Sequence, residues 1–181
     1  GNNRHPLTYI LEAADDIAYK TADIEDAFVK GFISYHQLES ELVVLEKETE
    51  DSPFKPATKL RQLYQRGVEK QVSSPEAYAV KNWISVQGFV LNCVTYGFTS
   101  NYEAIMAGTF GQDLFYGTFA EKLMNLLGDL AYRKVFSSRQ IYKMELAEYT
   151  ILDFLMNRLV SSVLYYNTDS EQDSLDSRMV S

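Results

Sequence analysis

Apolar residues recur every three or four positions along most of the chain, the spacing that places them on one face of an α-helix. Three such segments follow residues that favour a helix start: Pro6, the Ser34–Gln37 pair of a capping box, and the linker "DSPFKP" at 51–56. Gly31 suits the end of the first segment, because glycine readily adopts the left-handed conformation that closes a helix. The pattern therefore predicts three helices in the first seventy or so residues.

The same spacing continues to the end of the apolar sequence, and no stretch alternates as a strand would. Four more helices are predicted: Pro75 to about Phe98, a short one after Asn101 closed by Gly108, about Thr118 to Phe136, and Gln140 to about Tyr165, the last two joined by a turn at 137–139. We therefore expect an all-α fold, an irregular multi-helix bundle over residues 1–166. Residues 167–181 are polar without an apolar period, which predicts a disordered tail.

Charge and composition narrow the classes of partner. A net charge of −8 on 181 residues argues against non-specific binding of nucleic acid or of an anionic membrane by the whole surface. The most apolar run, residues 83–98, is shorter than the roughly 20 residues that span a bilayer. The single cysteine, Cys93, permits no intramolecular disulfide and fits a reducing compartment. We expect a cytoplasmic protein without a membrane segment, with Cys93 an inert core thiol.

The first helix carries an acidic segment, "EAADDIAYKTADIEDA" at 12–27. Asp15, Tyr19 and Asp23 are four residues apart, so they lie along nearly one face. One interpretation is a solvated acidic face; the other is half of a metal or ligand site. The apolar residues between the acids predict burial, and buried carboxylates must be paired or coordinated. The spacing alone leaves both interpretations open.

A longer stretch around this segment, "RHPLTYILEAADDIAYKTADIEDA", resembles a known motif. HD-domain deoxyguanosine triphosphate triphosphohydrolases (dGTPases) have Arg-x-Pro-Leu, Glu-Ala-Ala-Asp-Asp-Ile-x-Tyr and Asp-x-Glu-Asp in the segment with their last metal ligand, and all three occur here. Residues 98–110 and 131–155 also resemble family segments, the latter its C-terminal helix–turn–helix. The resemblance spans most of residues 4–160 and implies the C-terminal part of such an enzyme.

The resemblance implies a role for each of the three residues. Asp15 matches the family's last ligand to a divalent metal, Mn²⁺ or Mg²⁺, Tyr19 a contact to the substrate triphosphate or sugar, and Asp23 an acid near the deoxyribose 3′-hydroxyl. The implied reaction is attack of water at the α-phosphorus of a deoxynucleoside triphosphate (dNTP), which releases deoxynucleoside and intact triphosphate. Family members assemble as oligomers, so a homo-oligomer is implied as well.

The chain departs from the family at its remaining metal ligands, a His and a His-Asp pair. Its only histidines, His5 and His36, have no aspartate beside them, and we expect both to be structural. The chain begins at Gly1 rather than Met, so we expect a fragment whose missing ligands lie upstream. Alone it would hold no metal and be catalytically silent. Trp83 stands where family members often have a substrate-contacting Arg, with Lys81 nearby.

Two other functions remain open: a non-catalytic helical interaction domain that binds a partner or its own copies, and an HD phosphohydrolase acting on a different nucleotide. A basic set on and around the third helix is expected to be a solvated face, although its residue types could also serve single-stranded DNA or an effector nucleotide. Its members are Lys55, Lys59, Arg61, Arg66 and Lys70.

Overall fold

The computed structural model describes residues 4–136 and 139–165, and these residues contain helices and no strand. The α-helices are α1 (Pro6–Val29), α2 (Tyr35–Glu48), α3 (Pro56–Glu69), α4 (Pro75–Asn82), α5 (Val86–Ser100), α6 (Tyr102–Met106), α7 (Glu121–Ala131) and α8 (Arg139–Tyr165). A 3₁₀ turn (Trp83–Ser85) joins α4 to α5, and a π-helical turn (Tyr132–Phe136) follows α7. The all-α prediction is confirmed.

The predicted starts of the first two helices and the predicted stop of the first are confirmed. Pro6 occupies the first turn of α1, and the His5 side chain caps the helix by accepting a hydrogen bond from the Leu7 amide at 3.2 Å. Gly31 follows the end of α1 with a φ of 75°. At α2 the capping box is complete: Ser34 Oγ accepts from the Gln37 amide, and the Gln37 side chain accepts from the Ser34 amide. His5 is therefore structural, as expected.

The helix predicted from Pro75 to Phe98 is wrong as a single element, because it breaks at Trp83–Ser85. The Trp83 side chain is buried, and its Nε1 donates a hydrogen bond to the Pro56 carbonyl oxygen at 3.1 Å. The break lets the two halves pack differently: α4 lies mainly against α3, whereas α5 contacts α1. Tertiary packing here overrides a continuous helical pattern.

The core of the compact unit that ends at Val135 is built by one side of each helix from α1 to α5 and by α7. Its largest fully buried side chains include Ile24, Leu38, Leu42, Leu60, Val90, Met124, Leu127 and Leu130. On α3, Leu60, Leu63 and Gly67 are buried and Tyr64 packs against the core, whereas Val68 is exposed. One buried polar group, Thr21, accepts a hydrogen bond from Gln87 at 2.6 Å, which ties α1 to α5.

Two contacts fix loops beside these helices. Gly97 on α5 lies directly under the Leu114 carbonyl oxygen, and a Cβ at this position would collide with it. The loop after α6 is therefore held close to α5. At the end of α2, the Lys55 ammonium donates to the carbonyl oxygens of Thr49 and Glu50, at 3.1 and 2.9 Å, which satisfies acceptors that a helix end leaves open.

Residues from Phe136 onward form a second unit, whose described helix α8 has large apolar side chains exposed around it. They include Leu146, Tyr149, Ile151, Phe154, Met156, Leu159 and Val163. The predicted last helix is confirmed, beginning one residue earlier than expected. Ser137 and Ser138 of the predicted turn, and the predicted tail, lie outside the described residues, so the division at 166 stays a prediction.

Candidate functional site

Asp15, Tyr19 and Asp23 lie on the side of α1 that faces away from the core. Asp15 is exposed, the Tyr19 side chain is 68% exposed, and Asp23 is half-buried. The buried stripe of α1 is formed by other residues: Tyr9, Ala13, Ile17, Thr21, Ile24 and Ala27. The expectation that the acidic segment is buried is therefore wrong for this chain, because the apolar residues between the acids form a second, exposed face.

An open cleft of about 410 Å³ lies between the first half of α1 and the loop that precedes α7. It is lined by Arg4, Tyr9, Glu12, Ala13, Asp15, Asp16, Asp113, Leu114 and Phe115. Asp15 belongs to this lining, whereas Tyr19 and Asp23, further along the helix, do not. Since each residue advances a helix by 1.5 Å, Asp23 is displaced from Asp15 by roughly 12 Å along the axis.

Hydrogen bonds and ring contacts hold the loop in place against α1. The Tyr9 hydroxyl donates to the Phe110 carbonyl oxygen at 2.5 Å, and the two rings pack with centroids 5.7 Å apart. Asp113 Oδ1 accepts from the backbone amides of Phe115 and Tyr116, at 2.8 and 2.9 Å. The loop side of the cleft is thus fixed by its own backbone as well as by α1.

The four carboxylates of the cleft differ in their partners. Glu12 pairs with Arg4 at 2.9 Å, Asp16 pairs with Lys20 at 2.9 Å, and Asp113 accepts the amides of its own turn. Asp15 has no hydrogen bond or ion pair within residues 4–136 and 139–165. It is the carboxylate of the cleft that is available to a cation or a hydrogen-bond donor.

Asp23 lies in a different electrostatic environment. Burial raises the pKa of its carboxyl above the usual 3.8, the neighbouring Asp26 raises the pKa further, and Lys30 lowers it. Asp26 is itself paired with Lys30 at 3.0 Å. The surroundings of Asp23 therefore disfavour its ionised form, and a donor such as a hydroxyl would relieve that cost.

The residues present do not make a complete metal site. In the described part of the chain, no three His, Cys, Asp or Glu side chains come together in a group that could hold a metal ion. His5 caps α1, and the His36 side chain is 86% exposed, with Nδ1 3.7 Å from Glu39. Asp15 can offer one carboxylate ligand, and a metal would need further ligands from outside this group.

Trp83, which the sequence resemblance places at the family's substrate-contacting arginine, is a core residue. Trp83 is 2% exposed and bonded to Pro56, while Lys81 is exposed. Sequence reasoning missed Asp113, which lines the cleft almost a hundred residues after Asp15 in a segment predicted only as a loop. An Asp side chain that accepts a hydrogen bond from the backbone amide two residues later is typical of a turn. This signal predicts the turn, but it does not predict the cleft.

The described residues form an all-helical protein, and within them an aspartate on the first helix has no partner. These two features define only a broad class of protein, and comparison with known proteins narrows it. A deoxyguanosinetriphosphate triphosphohydrolase-like protein of Listeria monocytogenes is 33% identical over 183 aligned residues, which cover 99% of this chain and 38% of that relative. A deoxyguanosinetriphosphate triphosphohydrolase of Yersinia enterocolitica is 32% identical over 86% of this chain and 31% of its own length. A probable one of Pseudomonas aeruginosa is 29% identical over 85% of this chain.

The chain belongs to the deoxyguanosinetriphosphate triphosphohydrolase family and corresponds to a C-terminal portion of its longer relatives. It spans little more than a third of the Listeria relative. No family model matches the chain. As for the membrane, none of the helices within the described ranges is long and apolar enough to cross one.

Proposed function

We propose that this chain is the C-terminal helical part of a metal-dependent dNTP triphosphohydrolase, with dGTP the substrate its relatives' names suggest. The observation that carries the proposal is the 33% identity to a dGTPase-like protein along nearly the whole chain. A cleft supports it whose one carboxylate without a partner among the described residues is Asp15, the residue that by resemblance matches the family's metal ligand. The chain would act with the polypeptide that precedes this region in its relatives and would be inactive alone.

Each of the three α1 residues has a proposed task. Asp15 would contribute one ligand to a divalent metal, Mn²⁺ or Mg²⁺, which when bound supplies Lewis-acid chemistry. Tyr19, exposed and without a hydrogen bond in the described structure, offers a free hydroxyl to a triphosphate or a sugar. Asp23 would accept a hydrogen bond from the 3′-hydroxyl of the deoxyribose, and such a donor favours the ionised form of the carboxyl. We also propose that the protein is cytoplasmic and assembles from several copies.

The test is an assay of triphosphate release from each dNTP with Mn²⁺ or Mg²⁺. It uses the 181-residue chain and a fusion in which residues 1–181 replace the matched region of the Listeria relative. We expect no release by the chain alone, release by the fusion, and at least about a hundredfold loss in the fusion with Asp15→Ala. Asp51→Ala, an exposed loop carboxylate, is the matched control and should leave the rate unchanged.

Three outcomes discriminate the alternatives. Full activity of the Asp15→Ala fusion would contradict the metal assignment. Hydrolysis of another nucleotide in place of every dNTP would indicate a phosphohydrolase of different specificity. A folded fusion without any hydrolysis would favour the non-catalytic interaction domain, a candidate that the exposed apolar side of α1 also supports.

A further inference from the structure

The side of α1 opposite the core is an apolar surface with no cover in the described structure. At 3.6 residues per turn, seven residues fall within a narrow sector of this side, and six of them are apolar; the seventh is Glu25. We call the six apolar residues the outward stripe: Leu7, Leu11, Ala14, Ala18, Ala22 and Val29. The three large members are 62 to 74% exposed. A surface helix normally presents polar residues here, and a contiguous exposed apolar surface marks an interaction site.

The shape of the outward stripe suits another helix. Its centre consists of three alanines four residues apart, which let a second backbone approach closely, and leucines at its N-terminal end can insert between side chains of the incoming element. Asp15 borders the stripe and has no partner in the described part of the chain. A surface that covers the stripe would therefore also reach this carboxylate.

A second copy of this chain is a poor occupant. Two α1 helices packed through their outward stripes would bring two sets of acids together, since α1 carries Glu12, Asp15, Asp16, Asp23, Glu25 and Asp26. Its two lysines, Lys20 and Lys30, are already paired with Asp16 and Asp26 of the same helix. Self-association through this face would be opposed by like charges.

The length of the relatives points to a different occupant. This chain corresponds to a C-terminal portion and to 38% of the Listeria relative, so more than half of that protein lies outside the matched region. We propose that the outward stripe of α1 is the docking surface for the polypeptide that precedes this region in the longer relatives, packed so that its polar groups meet Asp15. This inference rests on the proposed function in one respect, that Asp15 receives its further ligands from that polypeptide.

Thiol labelling of a cysteine placed in the stripe tests this directly. Ala18→Cys reports on the stripe, and Gln65→Cys on the exposed side of α3 is the matched control. The native Cys93 is buried, and burial raises its pKa, so it labels slowly and is followed separately by peptide mapping. Both variants are made in the 181-residue chain and in the fusion with the Listeria relative, without substrate or metal.

We expect the two cysteines to label at similar rates in the chain alone. In the fusion, Ala18→Cys should label at least about tenfold more slowly while Gln65→Cys is unchanged, as burial of one site alone requires. Equal, fast labelling of Ala18→Cys in a folded fusion would overturn the proposal. Protection that grows with the concentration of the chain alone would also overturn it, because a second copy would then cover the stripe.

A binding measurement covers the case in which the fusion does not fold. The preceding part of the Listeria relative, expressed separately, is titrated with the 181-residue chain by calorimetry. Binding that Ala18→Arg weakens at least about tenfold and Gln65→Arg leaves unchanged supports the proposal; no binding by the unsubstituted chain contradicts it. Protection or binding without triphosphate release would support the docking surface and contradict the proposed function. Triphosphate release without protection would support the proposed function and contradict the docking surface.

Discussion

Helices α3 and α1 both pack against the core, but they differ on the side turned away from it. On α3 that side is mostly polar, with Arg61, Gln62, Gln65, Arg66 and Glu69 exposed and Val68 the apolar exception. On α1 it carries the outward stripe of leucines, alanines and a valine. The outer side of α3 is therefore an ordinary polar surface, whereas the outer side of α1 has exposed apolar residues that the proposed docking of a further polypeptide would cover.

The strongest test of this comparison substitutes one leucine on each helix. Leu60 on α3 is fully buried, so Leu60→Ala should lower the free energy of unfolding by about 2–5 kcal/mol through lost burial and a cavity. Leu11 on the outward stripe is 62% exposed, so Leu11→Ala should change the stability of the isolated chain by about 0.5 kcal/mol or less. Urea unfolding followed by the fluorescence of the single tryptophan measures both. Similar losses would mean that the stripe is already covered in the chain alone.

A second test addresses the loop that forms one wall of the cleft beside α1. Gly97→Ala places a methyl group against the Leu114 carbonyl oxygen and should cost about 1–3 kcal/mol or more, since backbone must move. Gly88→Ala on the same helix meets no atom within 4 Å and should be neutral or stabilising by up to about 1 kcal/mol. Thermal unfolding by circular dichroism compares the two. Equal effects would show that the loop does not need the close approach to α5.

A third test addresses the hydrogen bond that joins the turn between α4 and α5 to the start of α3. Trp83→Phe removes the hydrogen bond to the Pro56 carbonyl oxygen, an acceptor that the first turn of α3 also uses, at a cost of about 0.5–1.5 kcal/mol. Because the substitution removes the fluorophore, circular dichroism in urea is the suitable measurement, with the unsubstituted chain followed in the same way. A neutral result would show that the break between α4 and α5 does not depend on the indole N–H.

The smallest effect is expected at Asp23. A raised acid pKa means that the folded state binds the proton more tightly than the unfolded state, so the ionised carboxylate costs stability at neutral pH and the cost disappears as pH falls below the usual 3.8. Asp23→Asn should therefore gain about 0.5 kcal/mol or less at neutral pH and nothing at about pH 3. Asp51→Asn in the exposed loop is the control. A loss at neutral pH would indicate that a donor already stabilises the carboxylate.

Local signals predicted the helix ends well. Pro6, Gly31 and the Ser34–Gln37 pair act through backbone chemistry that is set within a few residues, so their roles can be inferred without a tertiary structure. The break at Trp83 could not be inferred in this way. It coincides with a hydrogen bond from Trp83 to Pro56, 27 residues earlier in the chain, and the sequence between Pro75 and Phe98 contains no local reason for it.

The burial of α1 exposes a different limit of sequence reasoning. Periodicity correctly indicates apolar faces, but α1 has two of them, and the pattern does not state which one packs within this chain. Leu7, Leu11 and Ala18 fit a helical spacing as well as Ile17 and Ile24 do, yet only the last two are buried. The cleft could not be predicted from the sequence either, because Asp113 lines the same cleft as Asp15 only once the loop has folded.

Lys55 belongs to the basic set on and around α3, but its ammonium is bonded to the backbone carbonyl oxygens that follow α2. These two hydrogen bonds make the α2–α3 junction sensitive to acylation of Lys55. Acetylation would remove the charge and two of the three donors of Lys55, so that Lys55 could no longer donate to both carbonyl oxygens, although Thr49 would still accept from the Ser52 amide. Chemical acetylation should therefore loosen this junction more than modification of Lys81 would, an exposed lysine with no bond to the other described residues. Hydrogen exchange at residues 49–55 would reveal the effect.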